Sequence, residues 1–207
     1  MHPTDPAAGH PQDAAPALFL GFDNWIDGDH PAVARQAAVL AGASSSPLAL
    51  VQNSFEFVRD RIAHSGDAGR GPITCKASDT LVHEIGYCYA KSHLLAALLR
   101  ANGVPTALCY QRLSVGGGDG PYCLHGLNAV FLPDHGWYRI DARGNKPGVD
   151  ARFTPPREQL AFAIQEAGER DLRGLYAAPL AVVVRALTTH ASVAQLGANL
   201  PDMPGLY

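Results

Sequence analysis

Between Ser46 and Ile62 the apolar residues Val51, Phe55, Val58 and Ile62 fall at four-three-four spacing, which lays them along one stripe of a helix. Ser46 ahead of Pro47 suits the start of that helix. Pro31 suits the first turn of a shorter one that runs through Leu40 and ends at Gly42. After a loop at 66–72, Ser78 or Asp79 is placed to cap a short helical stretch ahead of Gly86. An amphipathic helix is predicted from about Cys88, in EIGYCYAKSHLLAALLRANGVPT (84–106). Leu94, Leu95, Leu98 and Leu99 mark its apolar side, extended by Ala90 and Ala101, and so many leucines make it central to the core. Asn102-Gly103 stops it and Pro105 prevents its return.

Beyond that helix the period changes. TALCYQRLSV (106–115) reads as a strand, and GGGDG (116–120) as a plain hairpin connection in preference to a flap over a cleft. Residues 122–132 and 137–141 read as two further strands, joined by Pro133-Asp134-His135-Gly136. Residues 143–156 are turn-rich, and the remainder is expected to be helical in pieces, starting at Pro156-Arg157-Glu158 and again at Pro179. Helices, then an antiparallel sheet, then a helical tail argue an α+β fold. The Pro/Ala-rich residues 1–16 are expected to be a flexible lead-in. Residues 17–207 then form a single domain, with its core at about 47–146 and a helical tail over 156–207.

Composition narrows the function classes. A 47% hydrophobic, 17% charged chain of 207 residues is globular and not disordered. Its net charge of -3 and scattered basic residues offer no field for nucleic acid or an anionic membrane surface. The four cysteines (75, 88, 109 and 123) contain no CxxC pair, so neither a zinc ribbon nor a thioredoxin motif is suggested. No Lys or Arg precedes Arg35 and the apolar run 17–22 is too short for a secretory signal, while the aliphatic run 179–184 is far below a membrane span. The expected location is cytoplasmic.

Cys88 carries the chemistry. The first turn of a helix holds unpaired amide donors and the positive end of the helix dipole, and a thiol placed there is biased toward the nucleophilic thiolate. A cysteine nucleophile needs a base, and that imidazole needs a third group to fix its tautomer. His125 and Asp141 stand on the two strands downstream. Strand parity tests the pair. A four-residue connection 133–136 sets Asp141 opposite Asn128, on the face away from His125, so an odd-length loop or a bulge is required between them. Asp141 also has an alternative use, bonding its own backbone ahead of ARGN.

Other residues receive plainer readings. Cys75, Cys109 and Cys123 are small core residues. His83, Cys88 and His93 are not a zinc set, because Cys88 and His93 at i, i+5 point to different sides of a helix; no metal and no cofactor is expected. Trp137 and Tyr138 read as sheet packing, with Trp137 also a candidate cleft wall. Arg143 and Lys146 read as solvated charges.

GYCYAKSHLLAALLRANGVPT resembles the nucleophile helix of the transglutaminase-like superfamily, and CLHGLNAVFLPDHGWYRIDARGN resembles its His strand, short turn and W-x-x-x-D strand. The likeness covers roughly 50–146. It implies a papain-like core in which Cys88 is the nucleophile, His125 the base and Asp141 the orienting carboxylate. Many relatives carry Ala-Trp after the histidine, where Gly126-Leu127 stand here. The implied chemistry is acyl transfer through a thioester, with a peptide or protein amide as substrate and water or an amine as acceptor. The short chain tilts the expectation slightly toward hydrolysis. An oxyanion needs donors: the Cys88 amide is one, and with no Gln shortly before the cysteine, Tyr87, His83 and Asn128 are candidates for the second. Arylamine-type acetyl transferases share the Cys, His, Asp order, but they carry Arg-Gly-Gly where Glu84-Ile85-Gly86 stands. A non-catalytic binding module on the same fold is the third reading.

Overall fold

The computed structural model describes residues 13–204, so most of the expected lead-in lies outside the described residues. Helix α5 (Cys88–Ala101) organises the rest, and every residue from Cys88 to Arg100 is buried. It packs against α1 (Pro31–Gly42), α2 (Pro47–Arg61) and α4 (Ala77–His83), and against strands β3 (Thr106–Ser114) and β4 (Tyr122–Leu132). Val51, Phe55, Val58 and Ile62 are all buried, as their spacing requires, and Leu94, Leu95, Leu98 and Leu99 are fully so. At about 1.5–3 kcal/mol for each fully buried leucine, this helix anchors the core.

The amphipathic expectation for α5 is corrected: its polar residues are buried as well. Each works as a tie to backbone carbonyls, which are the partners available in a dry interior. Lys91 donates to the carbonyls of Arg59 and Ile62 at the end of α2, and His93 Nδ1 meets the Cys75 carbonyl at 2.8 Å. Arg100 donates to the carbonyls of Thr106, Gly21 and Ala177 at 2.7–2.9 Å, joining three distant segments. The start of α4 differs too. Ser78 lies inside the helix and does not cap it; its amide and hydroxyl donate to the Asp27 carboxylate, a cap brought from elsewhere in the chain.

The sheet runs in the order β5-β4-β3-β8, with β5 Gly136–Ile140 and β8 Arg170–Asp171. β4 pairs with β5 from Asn128↔Ile140 to Leu132↔Gly136, which leaves a three-residue connection. The odd length demanded by parity is present: continuing the register one step sets Asp141 opposite Leu127, on the same face as His125. β5 is short, so among the described residues no strand pairs with 122–127 of β4 on that side. The face turned from α5 carries Phe19, Leu127, Ala129 and Trp137, and the Trp137 indole donates to the Ala14 carbonyl at 3.1 Å.

The short strand β1 (Ala63–His64) pairs in parallel with β2 (Ile85–Gly86) and leads into α3 (Ser65–Ala68). The helix expected at Pro156-Arg157-Glu158 is instead the hairpin β6 (Arg152–Thr154) and β7 (Arg157–Gln159). Its geometry is imposed by Tyr138, whose hydroxyl donates to the Arg157 carbonyl and accepts from the Thr154 amide, with Phe153 edge-on to its ring. Helix follows Pro179 as expected, in α6 (Ala181–Thr189), and α7 (Val193–Ala198) comes after it. No helix among the described residues is long and apolar enough to cross a membrane.

Arg100→Met leaves three carbonyls without their cation. Only the Thr106 carbonyl is buried, the Gly21 and Ala177 carbonyls being open to water, so at about 1–3 kcal/mol for a buried acceptor stripped of its partner it should destabilise the protein by about 1–3 kcal/mol. Urea unfolding followed by circular dichroism reads this as a lowered midpoint at unchanged slope.

Candidate active site

Cys88 is the first residue of α5, where no side chain caps the leading amides and the helix dipole is positive. The helix reaches β4 at Gly126. A Cβ there would lie 3.1 Å from Tyr89 Cα and 3.3 Å from Tyr89 N, close enough that the helix backbone would have to give by a few tenths of an ångström. Glycine after the histidine therefore lets the helix tip touch the strand. At that contact the Gly126 N–H, on the part of β4 that β5 leaves uncovered, donates to Cys88 Sγ at 3.5 Å. Tyr89 locks the same junction by donating its hydroxyl to the Leu124 carbonyl.

His125 Nε2 lies 2.7 Å from Asp141 Oδ2, which leaves Nδ1 for the sulfur. Asp141 Oδ2 also accepts the Ala161 amide at 3.0 Å, and Oδ1 accepts the Arg143 amide at 3.1 Å. Asp141 thus makes both kinds of contact at once, to the backbone of the turn at ARGN and to the His125 ring. Phe162 meets the His125 ring edge-on, with centroids 5.0 Å apart. Exposure falls from 7% at Cys88 through 4% at His125 to zero at Asp141, so the approach to the sulfur is narrow.

Electrostatics favour a protonated ring. Burial opposes charge on His125, but the Asp141 carboxylate and the Cys88 sulfur outweigh it and raise its pKa to about 10. Asp141 feels the same opposition from burial, and His125 with the Arg143 and Ala161 amides hold it below the usual carboxylate range. The signs follow by linkage. A raised histidine stabilises the fold fully below its unfolded value near 6.5 and loses that contribution as pH climbs through about 10. A depressed aspartate contributes above its ordinary value of 3.8 and loses it as pH falls through the lower folded value.

The structure brings Cys88, His125 and Asp141 together and disperses most of the remaining candidates. Asn128 is corrected: it is fully buried on the α5 side of β4, and its amide donates to the carbonyls of Ser92 and Ala107. Trp137 is corrected as well, since it packs on Phe19 and Phe131 on the opposite face of the sheet. His83 ends α4 and is exposed, which puts it outside the cleft. Tyr87 stays at the site as the residue preceding α5, but its hydroxyl is spent on the Val193 carbonyl at 3.1 Å. Arg143 and Lys146 are not free solvated charges; both bind Asp67, Arg143 through two nitrogens.

Several residues at the site had no sequence signal. A cavity of about 420 Å³ opens beside Tyr87, lined also by His64, Asp67, Arg143, Val193 and Leu200. His64 sits edge-on to Tyr87, and burial together with Arg143 pushes it down to about 3, so it is neutral at physiological pH. Lys91, one helical turn past Cys88, is lowered to about 7 by burial and then by Arg143. Among the described residues no group of three His, Cys, Asp or Glu side chains is arranged to hold a metal ion.

With that geometry in place, comparison with known proteins identifies the chain as a member of the transglutaminase-like superfamily, whose sequence model matches residues 34–142. No curated protein matches it. Among solved structures it is similar to a protein of Cytophaga hutchinsonii provisionally named a cysteine protease, at 18% identity and a TM-score of 0.50 over 63% of this chain and 43% of that one. The periplasmic domain of TgpA from Pseudomonas aeruginosa is similar at 23% identity and a TM-score of 0.46, over 63% of this chain and 50% of that one. A second TgpA structure gives 21% identity and 0.45, over 63% and 48%. The chain thus spans half or less of the length of these structures.

Asp141→Asn removes the charge that sustains the imidazolium while leaving the shape of the side chain. The His125 ring should then titrate below neutral pH instead of near 10, because burial is left with only the sulfur to oppose it. Imidazole NMR across a pH series reads the difference, and an unchanged titration would remove Asp141 from the electrostatics of the site.

Proposed function

We propose that this protein is a cysteine acyl-transfer enzyme acting on amide bonds of peptides or proteins, with Cys88 as nucleophile, His125 as acid and base, and Asp141 as the orienting carboxylate. The observation that carries the reading is the 2.7 Å contact between His125 Nε2 and Asp141, on a ring whose other nitrogen is left to the sulfur at the tip of α5. In the reaction Cys88 Sγ bonds to the amide carbon. The C–N bond then breaks as His125 gives its proton to the departing amine, leaving a thioester. Water, or a second amine, attacks that thioester while His125 takes back a proton, and the thiolate is regenerated. The leading amides of α5 face the developing oxyanion, where fixed dipoles in a dry site lower the barrier most.

Peptide and protein amides fit a site bounded by strand backbone, and the pI of 6.3 supports no nucleic-acid or membrane partner. The acceptor decides between hydrolysis and transamidation, so the experiment supplies both. A peptide library is incubated with wild-type protein, with and without a primary amine, and the thioester is trapped and located by mass spectrometry. Wild type should carry acyl groups on Cys88; Cys88→Ala should carry none, and His125→Ala should form the adduct about 10²–10⁴-fold more slowly. Acylation of Cys88→Ala at the wild-type rate would end the proposal.

The pH profile makes a separate demand. His125 must be protonated to expel the amine, so kcat/KM should hold through neutral pH and fall on an alkaline limb near 10. A rise with pH through that region would mean that the imidazolium is not the acid.

A further inference from the structure

Another part of the chain lies beside Cys88, on the strand edge whose Gly126 N–H meets the sulfur. α7 is rooted by Val193 and Leu196, which are buried in the main core. After Asn199 the chain leaves regular secondary structure, and three consecutive residues meet the cavity beside Tyr87, the β4 edge and Arg112 in turn. Leu200 lines the cavity beside Tyr87, Arg143 and His64. The Pro201 carbonyl accepts the Leu124 N–H at 2.7 Å. The Asp202 carboxylate takes a two-nitrogen grip from Arg112, with Nε to Oδ1 at 2.7 Å and Nη2 to Oδ2 at 2.8 Å.

The place of these contacts is informative. Leu124 and Gly126 are alternate residues of β4, so their N–H groups point the same way, about 7 Å apart along the strand. One is given to the sulfur and the other to Pro201. The stretch 122–127 of β4, bare of β5, is an edge on which an extended chain docks through its carbonyls. Arg112 is prepared for an anion: its guanidinium lies 3.8 Å from the Tyr122 ring centroid and its Nη1 is held by the Gly168 carbonyl, so Nε and Nη2 are presented as a planar fork. Residues 200–202 have the character of an occupant. Leu200 and Met203 are only half-buried, Asp202 keeps 25% of its side-chain surface, and Pro201 offers the edge an acceptor without a donor of its own.

We propose that the channel formed by the cavity beside Tyr87, the Leu124 edge of β4 and the Arg112 fork is a binding site for extended peptides bearing a carboxylate, and that residues 200–202 fill it as an internal ligand. The proposal rests on the reading of Cys88 as a nucleophile and deepens it by naming the substrate class and the contact that shuts the site. A tethered segment acts at an effective concentration in roughly the millimolar range, so a free peptide competes once the tether's own anchor is weakened. The anchor is Asp202, which touches neither Cys88 nor His125.

The test measures carbamidomethylation by iodoacetamide at each of the four free thiols in wild type and in Asp202→Asn. Loss of the charged latch should speed modification of Cys88 about tenfold by raising the population of the open state. Rates at Cys75 and Cys109 should not change, which also reports that Asp202→Asn is folded; Cys123, on the same edge and beside Asp202, is not used as a control. A synthetic peptide of residues 198–204, added to Asp202→Asn, should restore protection of Cys88. The same peptide with Asp202→Asn should not, and neither should the acidic peptide when Arg112→Gln is combined with Asp202→Asn. Equal Cys88 rates in wild type and Asp202→Asn, with no peptide effect, would overturn the channel. If Cys88 is slow throughout and His125→Ala changes nothing, the nucleophile reading fails instead. Fluorescence anisotropy of the labelled acidic peptide on Cys88→Ala with Asp202→Asn then decides the channel by itself, binding supporting it and absence of binding refuting it.

Discussion

The contact between the tip of α5 and Gly126 of β4 is the constraint from which the rest of the site follows. A side chain at 126 would strike Tyr89, so the strand has none there, and the helix comes close enough for Cys88 Sγ to reach a strand amide. That approach places a helix dipole, a strand edge and a sulfur at one point. His125, the preceding residue on the same strand, then needs only the correct face to meet Asp141. The three-residue connection between β4 and β5 supplies that face. A bulkier residue at 126 would separate sulfur from imidazole without altering either.

The buried charges around this contact are held by geometry as much as by each other. Asp141 is fully buried and stays ionised because an imidazolium and two backbone amides surround it. Lys91 and Arg100, on the same helix as Cys88, are tied to carbonyls in neighbouring segments, which fixes α5 along its length. Such ties cost desolvation and give position in return. In the proposed reaction Cys88 must meet its base within a few tenths of an ångström, and that placement depends on such an exchange. The segment after α7 adds a further layer, because it uses the same bare edge of β4 that presents Gly126 to the sulfur.

Much of this was legible in the sequence, for reasons that can be named. Cys88 is readable because helix starts carry a local signature, and strand parity is arithmetic: a four-residue turn from Pro133 to Gly136 argues against the His125–Asp141 pair unless the connection is odd or bulged, and the structure has three residues there. The helix stripe Val51, Phe55, Val58, Ile62 was equally plain. What stayed hidden depends on contacts between distant segments. The Ala161 amide and the Phe162 ring reach His125 and Asp141 from a stretch with no periodic pattern. Asn128 and Trp137 have side chains suited to a cleft, but one is spent on carbonyls under α5 and the other covers the far face. Pro156 suits the start of a helix and equally the turn ahead of a hairpin strand, and the Tyr138 hydroxyl makes the choice.

The central claim is that sulfur, imidazole and carboxylate act as one chemical unit, and a double-mutant cycle tests it most directly. Acyl-enzyme formation is timed in wild type, His125→Ala, Asp141→Ala and the double variant. If Asp141 acts only through His125, the double variant should be no slower than His125→Ala alone. Losses that multiply would show two independent contributions and contradict the account.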